Sequence, residues 1–185
     1  MAVSRAEGKL AGFVREAGVD FRGATVLDIG SSTGGWTEFA LVSGASRVIA
    51  VEKGTKQMRK HLREDSRVEL YEKTDIFDVC LDNAPDIVLA DVSFVSLRRV
   101  LAHVRNSISG QRTKCVVLLK PQFEAREDQL VDGVVKNEKM RREIVRDFEM
   151  WLRAKGFVVK VKRDSEVRGR YGNLERMYLL EVARD

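Results

Sequence analysis

The sequence predicts an α/β fold: a mostly parallel sheet with helices on both faces. Three observations carry this. Short runs of branched apolar residues recur along the chain, separated by stretches of helical periodicity. Residues 25–37 read as a buried strand, a glycine-bearing turn and the start of a helix. Polar residues close one apolar run after another, as expected at the sheet edge where ligands of such folds bind.

Residues 4–17 place Leu10, Phe13, Val14 and Ala17 on one helical face, closed by Gly18. Strands are expected at about 25–29, 47–51, 68–71, 86–91 behind Pro85, and 115–120 ahead of Pro121. Between them lie a helix from Gly35 to about Val42, a basic helix over 55–63 with Lys56, Arg59, Lys60 and Arg63, and a helix bearing Val95, Leu97, Val100, Leu101 and Val104. Residues 122–136 read as a long loop, which in a compact domain is usually functional. Met140, Ile144, Val145, Phe148, Trp151 and Leu152 share one face of a long helix closed by Gly156. Residues 157–163 and 176–182 are the last two strands, joined by a glycine-rich turn.

One domain is expected over residues 1–185, long enough to bury a sizeable core. Apolar residues at 44% and charged residues at 33% describe a soluble globular chain. No apolar run nears the ~18 residues a spanning helix requires, so no membrane span is expected. The N-terminus has no secretion-type apolar core, and Cys80 and Cys115 lack metal-ligand spacing. Reduced thiols, no metal and a cytoplasmic location follow as expectations. A net charge of +5 permits an anionic partner without requiring one.

The 25–37 stretch reads as a cofactor site. Gly30 permits a sharp turn, Gly34 and Gly35 permit close approach, and the following helix offers free N–H groups. A dinucleotide fingerprint needs G-x-G-x-x-G, and Ser32 stands where its second glycine belongs; a P-loop needs G-K-[ST], and Trp36 follows Gly35. Asp28 at the strand tip repels a pyrophosphate but suits a cationic amino-acid group. S-adenosylmethionine, with its ammonium, sulfonium and adenosine, meets these demands. The candidate contacts are Asp28, the loop Gly30, Ser31, Ser32, Thr33, Gly34, Gly35 and Trp36, Glu52 for ribose hydroxyls, Asp75 for the adenine amino group with Thr74 beside it, and Asp91.

Four more polar residues fall at the same edge. Asp91 ends the fourth strand and Lys120 the fifth. If the last strand is inserted antiparallel, Glu175 stands at its start on this edge, and Lys9 lies near the beginning of the first helix.

The segments Ser4-Arg5-Ala6-Glu7-Gly8-Lys9-Leu10, Leu27-Asp28-Ile29-Gly30-Ser31-Ser32-Thr33-Gly34-Gly35-Trp36-Thr37, Asp91-Val92-Ser93-Phe94-Val95-Ser96-Leu97, Lys120-Pro121-Gln122-Phe123-Glu124 and Gly172-Asn173-Leu174-Glu175 resemble the haemolysin-A (TlyA-type) proteins. These belong with the FtsJ-like (RrmJ-like) ribose methyltransferases. The resemblance covers nearly the whole chain, and the D-V-S-F-V-S-L and K-P-Q-F-E blocks are its most specific part. It implies a Rossmann-like methyltransferase sheet of seven strands in order 3-2-1-4-5-7-6, strand seven antiparallel. It implies S-adenosylmethionine as methyl donor and 2′-hydroxyls of ribosomal RNA, free or in ribosomal subunits, as acceptors. It also implies a catalytic tetrad of Lys9, Asp91, Lys120 and Glu175. Lys120 is then the base or the group that orients the hydroxyl, Asp91 positions it, and Lys9 and Glu175 hold the ribose and the network. Ala6-Glu7 departs from the glycine-rich residues usual before that lysine. Members usually carry a small RNA-binding domain ahead of the catalytic one, which this chain is expected to lack.

Arg168 and Arg170 are the candidate RNA phosphate contacts; the other basic residues read as solvated faces. Trp36 and Phe94 read as packing groups rather than base-stacking platforms, and Glu124 as a substrate contact or a group that fixes its loop. The rival readings are a methyltransferase with another acceptor, a membrane-active haemolysin, and an RNA-binding protein without transfer activity. Monomer and dimer both remain open.

Overall fold

Strands that must be buried on both faces need apolar residues at successive positions, and β-branched types pack best on a pleated surface. The central strands meet that demand: all four residues of the strand Ile87–Ala90 are buried. The structure, a computed structural model, describes residues 5–169 and 171–183, with the backbone alone at 5–7. The main elements are α1 (Arg5–Ala17), β1 (Thr25–Ile29), α2 (Gly35–Val42), β2 (Arg47–Glu52), α3 (Lys60–Arg63), β3 (Val68–Glu72), β4 (Ile87–Ala90), α4 (Leu97–His103), β5 (Lys114–Leu119), α5 (Glu138–Ala154), β6 (Phe157–Asp164) and β7 (Arg176–Val182).

The seven strands form one Rossmann-like sheet in the order β3-β2-β1-β4-β5-β7-β6. β1 pairs in parallel with β2 and β4, and β4 in parallel with β5. β7 runs antiparallel to both β5 and β6. Alternation along each strand sends neighbours to opposite layers. Val26, Val48, Leu89 and Leu118 pack with Leu10 and Phe13 of α1 and Ala40 and Leu41 of α2. Leu27, Val88, Val117 and Tyr178 pack with Val100 and Leu101 of α4 and Phe148 and Leu152 of α5. Each fully buried side chain of this size contributes roughly 1.5–3 kcal/mol. Strand order reverses between β1 and β4, which opens a crevice beyond their carboxyl ends.

Several local expectations need correction. The basic helix over 55–63 is reduced to the four residues of α3. Lys56 takes a left-handed φ of 57°, its N–H donates to Glu72 Oε1, and Arg59 is extended, so the helix starts only at Lys60. α4 begins at Leu97, not near Val95, and passes into a π-helical turn over Val104–Ile108. The loop 122–136 holds two 3₁₀ turns, Pro121–Phe123 and Glu127–Gln129, and a bridge between Val131 and Val134. No helix among the described residues is long and apolar enough to cross a membrane.

Candidate active site

The turn after β1 is set by backbone demands. Gly30 has φ +80°, and its N–H donates to Val51 O at 2.9 Å. A Cβ there would lie 2.9 Å from the Asp91 carbonyl oxygen, so β1 and β4 approach this closely only with glycine. Gly34, at φ +87°, packs against α3: a Cβ would lie 2.4 Å from Leu62 Cδ1. Ser32, between them, donates its N–H to Glu52 Oε2 at 2.9 Å.

This turn forms one wall of a cleft of about 910 Å³ beyond the carboxyl ends of β1, β2 and β4. Of the predicted cofactor residues, Gly30, Ser32, Glu52, Thr74, Asp75 and Asp91 line it. Glu52 also accepts from Gly54 N–H at 2.7 Å. Asp75 Oδ2 accepts from Lys53 Nζ at 2.8 Å, and that bond holds its carboxyl below the usual carboxylate range. Asp28, Ser31, Thr33, Gly34, Gly35 and Trp36 stand outside the lining. Trp36 is a core residue packed on the α1/α2 side of the sheet, which bears out its reading as a packing group.

Asp28 is 1% exposed behind the turn. Its Oδ2 accepts from Thr37 Oγ1 at 2.6 Å, and its Oδ1 has no hydrogen-bond partner among the described residues. Burial pushes its carboxyl up to about 7 against the pull of the Thr37 bond, and the nearby Asp91 carboxylate adds to the rise.

The next strand ends carry two ion pairs. Lys120, just past β5, brings Nζ to 2.7 Å from Asp91 Oδ1, just past β4, and donates to Ser93 Oγ at 2.8 Å. Lys9 Nζ on α1 donates to Glu175 Oε2 at 2.5 Å. The β5–β7 ladder pairs Leu119 with Arg176, and the next step of that register sets Lys120 opposite Glu175. The four residues named from the sequence therefore meet as two ion pairs, one between the ends of β4 and β5 and one between α1 and the start of β7.

Two loops are locked around them. Glu124 Oε1 accepts from Leu97 N–H at 2.6 Å and Oε2 from Ser96 Oγ at 2.9 Å, so its carboxylate caps α4. Burial raises its carboxyl, and those two bonds oppose the rise. Of its two sequence readings, loop fixation has a bonding pattern behind it. Asn173 is buried: Oδ1 accepts from Val135 N–H at 3.0 Å and Nδ2 donates to Gly133 O at 3.1 Å. It pins the turn before β7 to the 131–135 loop.

Phe94 contradicts its reading as a packing group. It is 90% exposed at φ +62°, with its ring 5.3 Å from that of Phe123 at the cleft wall. Arg168 is exposed and donates to Gly172 O at 2.9 Å; Arg170 lies outside the described residues. Arg141, grouped with the basic faces, is buried and bonds Asp164 and Glu138, tying α5 to β6. Sequence reasoning missed Ser93 and Lys53. Each adjoins a predicted residue or lies within a recognised block, which is the only local signal they carry.

A model of the family described as FtsJ-like methyltransferase matches residues 2–181. The chain is similar to the 23S rRNA (cytidine-2′-O)-methyltransferase TlyA of Campylobacter jejuni, 33% identical over 95% of this chain and 69% of that protein. It is likewise similar to Hemolysin A of Brachyspira hyodysenteriae, 33% identical over 94% of this chain and 74% of that one. Among solved structures, a proposed hemolysin from Streptococcus thermophilus superposes with a TM-score of 0.92 at 31% identity, covering 99% of this chain and 68% of the other.

Proposed function

The chain belongs to the FtsJ-like methyltransferase family, and from that premise we propose that it is an S-adenosylmethionine-dependent RNA methyltransferase acting on a ribose 2′-hydroxyl of ribosomal RNA. The observation that carries this reading is the pairing of Lys120 with Asp91 and of Lys9 with Glu175 beside an acid-walled cleft. We read residues 1–185 as one methyltransferase domain.

The residues present suit the cofactor. Glu52 and Asp75 offer carboxylates for ribose and adenine, and the buried Asp28 keeps one oxygen unpartnered behind the glycine turn, as a cationic amino-acid end requires. Asp91 and the loop from Gly30 to Gly35 would complete the hold. When bound, S-adenosylmethionine supplies an electrophilic methyl group on a sulfonium.

The chain's own residues then act on the acceptor. Lys120 holds the hydroxyl and, once its ammonium has given a proton to solvent, draws off the hydroxyl proton at Nζ. Asp91 fixes that nitrogen, and Lys9 and Glu175 hold the ribose. Arg168 and Arg170 are the residues we assign to contacts with RNA phosphates. Orientation alone is worth ~7–11 kcal/mol in such a site.

The test is methyl transfer from labelled S-adenosylmethionine to ribosomal subunits and extracted ribosomal RNA, with nucleosides read by mass spectrometry. A ribose-methylated nucleoside, lost with Lys120→Ala, is expected. A base-methylated product would overturn the reading, and so would protein that binds S-adenosylmethionine but methylates no RNA.

A further inference from the structure

We propose that Ser93 is a positioning residue of this site: it accepts the hydrogen bond that orients the Lys120 amine, beside the Asp91 carboxylate, toward the acceptor hydroxyl. The proposal rests on the methyltransferase reading above.

The geometry of one loop carries it. Lys120 Nζ donates to Ser93 Oγ at 2.8 Å and lies 2.7 Å from Asp91 Oδ1, an oxygen that makes no hydrogen bond among the described residues. An amine nitrogen has three directions beyond its carbon. The ion pair with Asp91 sets how close the amine lies without aiming any of them, whereas the bond to Ser93 Oγ takes one and so turns the other two. Without Ser93 the amine is free to swing about the carboxylate. Orientation of this kind is where transfer enzymes gain much of their rate.

Ser93 is itself held for the task. Phe94 takes φ +62°, a conformation costly for a bulky side chain, and turns the chain immediately after Ser93. Three residues past Ser93 the loop is clamped by Glu124, which binds Ser96 Oγ and Leu97 N–H. That carboxylate stands only four residues after Lys120, so both ends of the Ser93–Lys120 contact are tied to one short segment. Ser93 also lines the cleft. A serine that merely decorates a surface loop requires neither the turn nor the clamp.

The test compares wild type, Ser93→Ala and Ser93→Thr in two measurements. The first is reactivity of Lys120 toward acetic anhydride, read by mass spectrometry against the other lysines. It should rise in Ser93→Ala and stay near wild type in Ser93→Thr, whatever the substrate. The second is methyl transfer to ribosomal RNA. In Ser93→Ala, kcat should fall about 10- to 100-fold with KM for RNA and S-adenosylmethionine affinity within roughly twofold, and Ser93→Thr should restore most of it. An active wild type matched by Ser93→Ala in kcat, or unchanged Lys120 reactivity in Ser93→Ala, overturns the assignment of Ser93 alone. A wild type that binds S-adenosylmethionine and methylates no RNA overturns the parent reading and the role of Ser93 with it.

Discussion

Lys9 and Glu175 are separated by 166 positions, yet Lys9 Nζ donates to Glu175 Oε2 at 2.5 Å with side chains only 10% and 3% exposed. This pair joins the first helix to the start of the last strand, at the edge where Lys120 and Asp91 also meet.

Removing one member leaves the other charge buried without its partner. Glu175→Ala should therefore cost about 3–5 kcal/mol in urea unfolding. The double change Lys9→Met with Glu175→Leu should recover most of that loss, because no unpaired charge remains. It should still abolish methyl transfer. If the double variant is as unstable as the single one, the pair is not the source of the cost.

The Asp28 carboxyl, pushed up to about 7 by burial, makes stability pH-dependent. Its ordinary value is 3.8, so between pH 4 and 7 the unfolded chain ionises this group while the folded chain keeps it protonated. Stability contributed below pH 4 is lost as pH rises to 7, by a total on the order of 4 kcal/mol, and the loss is flat above 7. Chemical denaturation of wild type and Asp28→Asn should show a gap in favour of the variant that grows between pH 4.5 and 7. The same variant should bind S-adenosylmethionine poorly in calorimetric titration. A gap that does not vary with pH would refute the buried-carboxyl account.

Gly30→Ala must place a methyl 2.9 Å from the Asp91 carbonyl oxygen and hold alanine at φ +80°. The expected cost is about 1–3 kcal/mol, with S-adenosylmethionine affinity falling because the shift moves Asp91 and the cleft wall together. Wild-type affinity in a destabilised variant would separate the turn from the binding site.

Asn173→Ala removes both bonds that tie the last turn to the 131–135 loop. A buried Val135 N–H loses its acceptor, at a cost of about 1–3 kcal/mol. Limited proteolysis should cut first between residues 126 and 136, since that loop loses its anchor while the sheet remains intact. Cleavage at an unchanged rate would show that the loop is held by other contacts.

Much of the fold was legible because it is written in local chemistry. Runs such as Ile87-Val88-Leu89-Ala90 suit only a doubly buried strand, and Gly30 and Gly34 mark backbone that no other residue adopts cheaply. The acidic and basic strand ends were equally visible, since each follows directly from its own apolar run. The resemblance carried by the D-V-S-F-V-S-L and K-P-Q-F-E blocks supplied the sheet order and the four-residue set.

What periodicity does not encode is which side chains meet. Lys120 with Asp91 and Ser93, Lys9 with Glu175, and Glu124 with the start of α4 depend on strand register and on the antiparallel insertion of β7. The same limit explains the errors. Residues 55–59 have helix-forming composition, but bonds to β3 pull them into turns. Phe94 and Trp36 are both large aromatics in the sequence, yet one stands 90% exposed in a left-handed turn while the other is sealed in the core. Local propensity and burial demand can be read from neighbours in the chain; a pair's distance and a side chain's exposure are settled by elements far away in it.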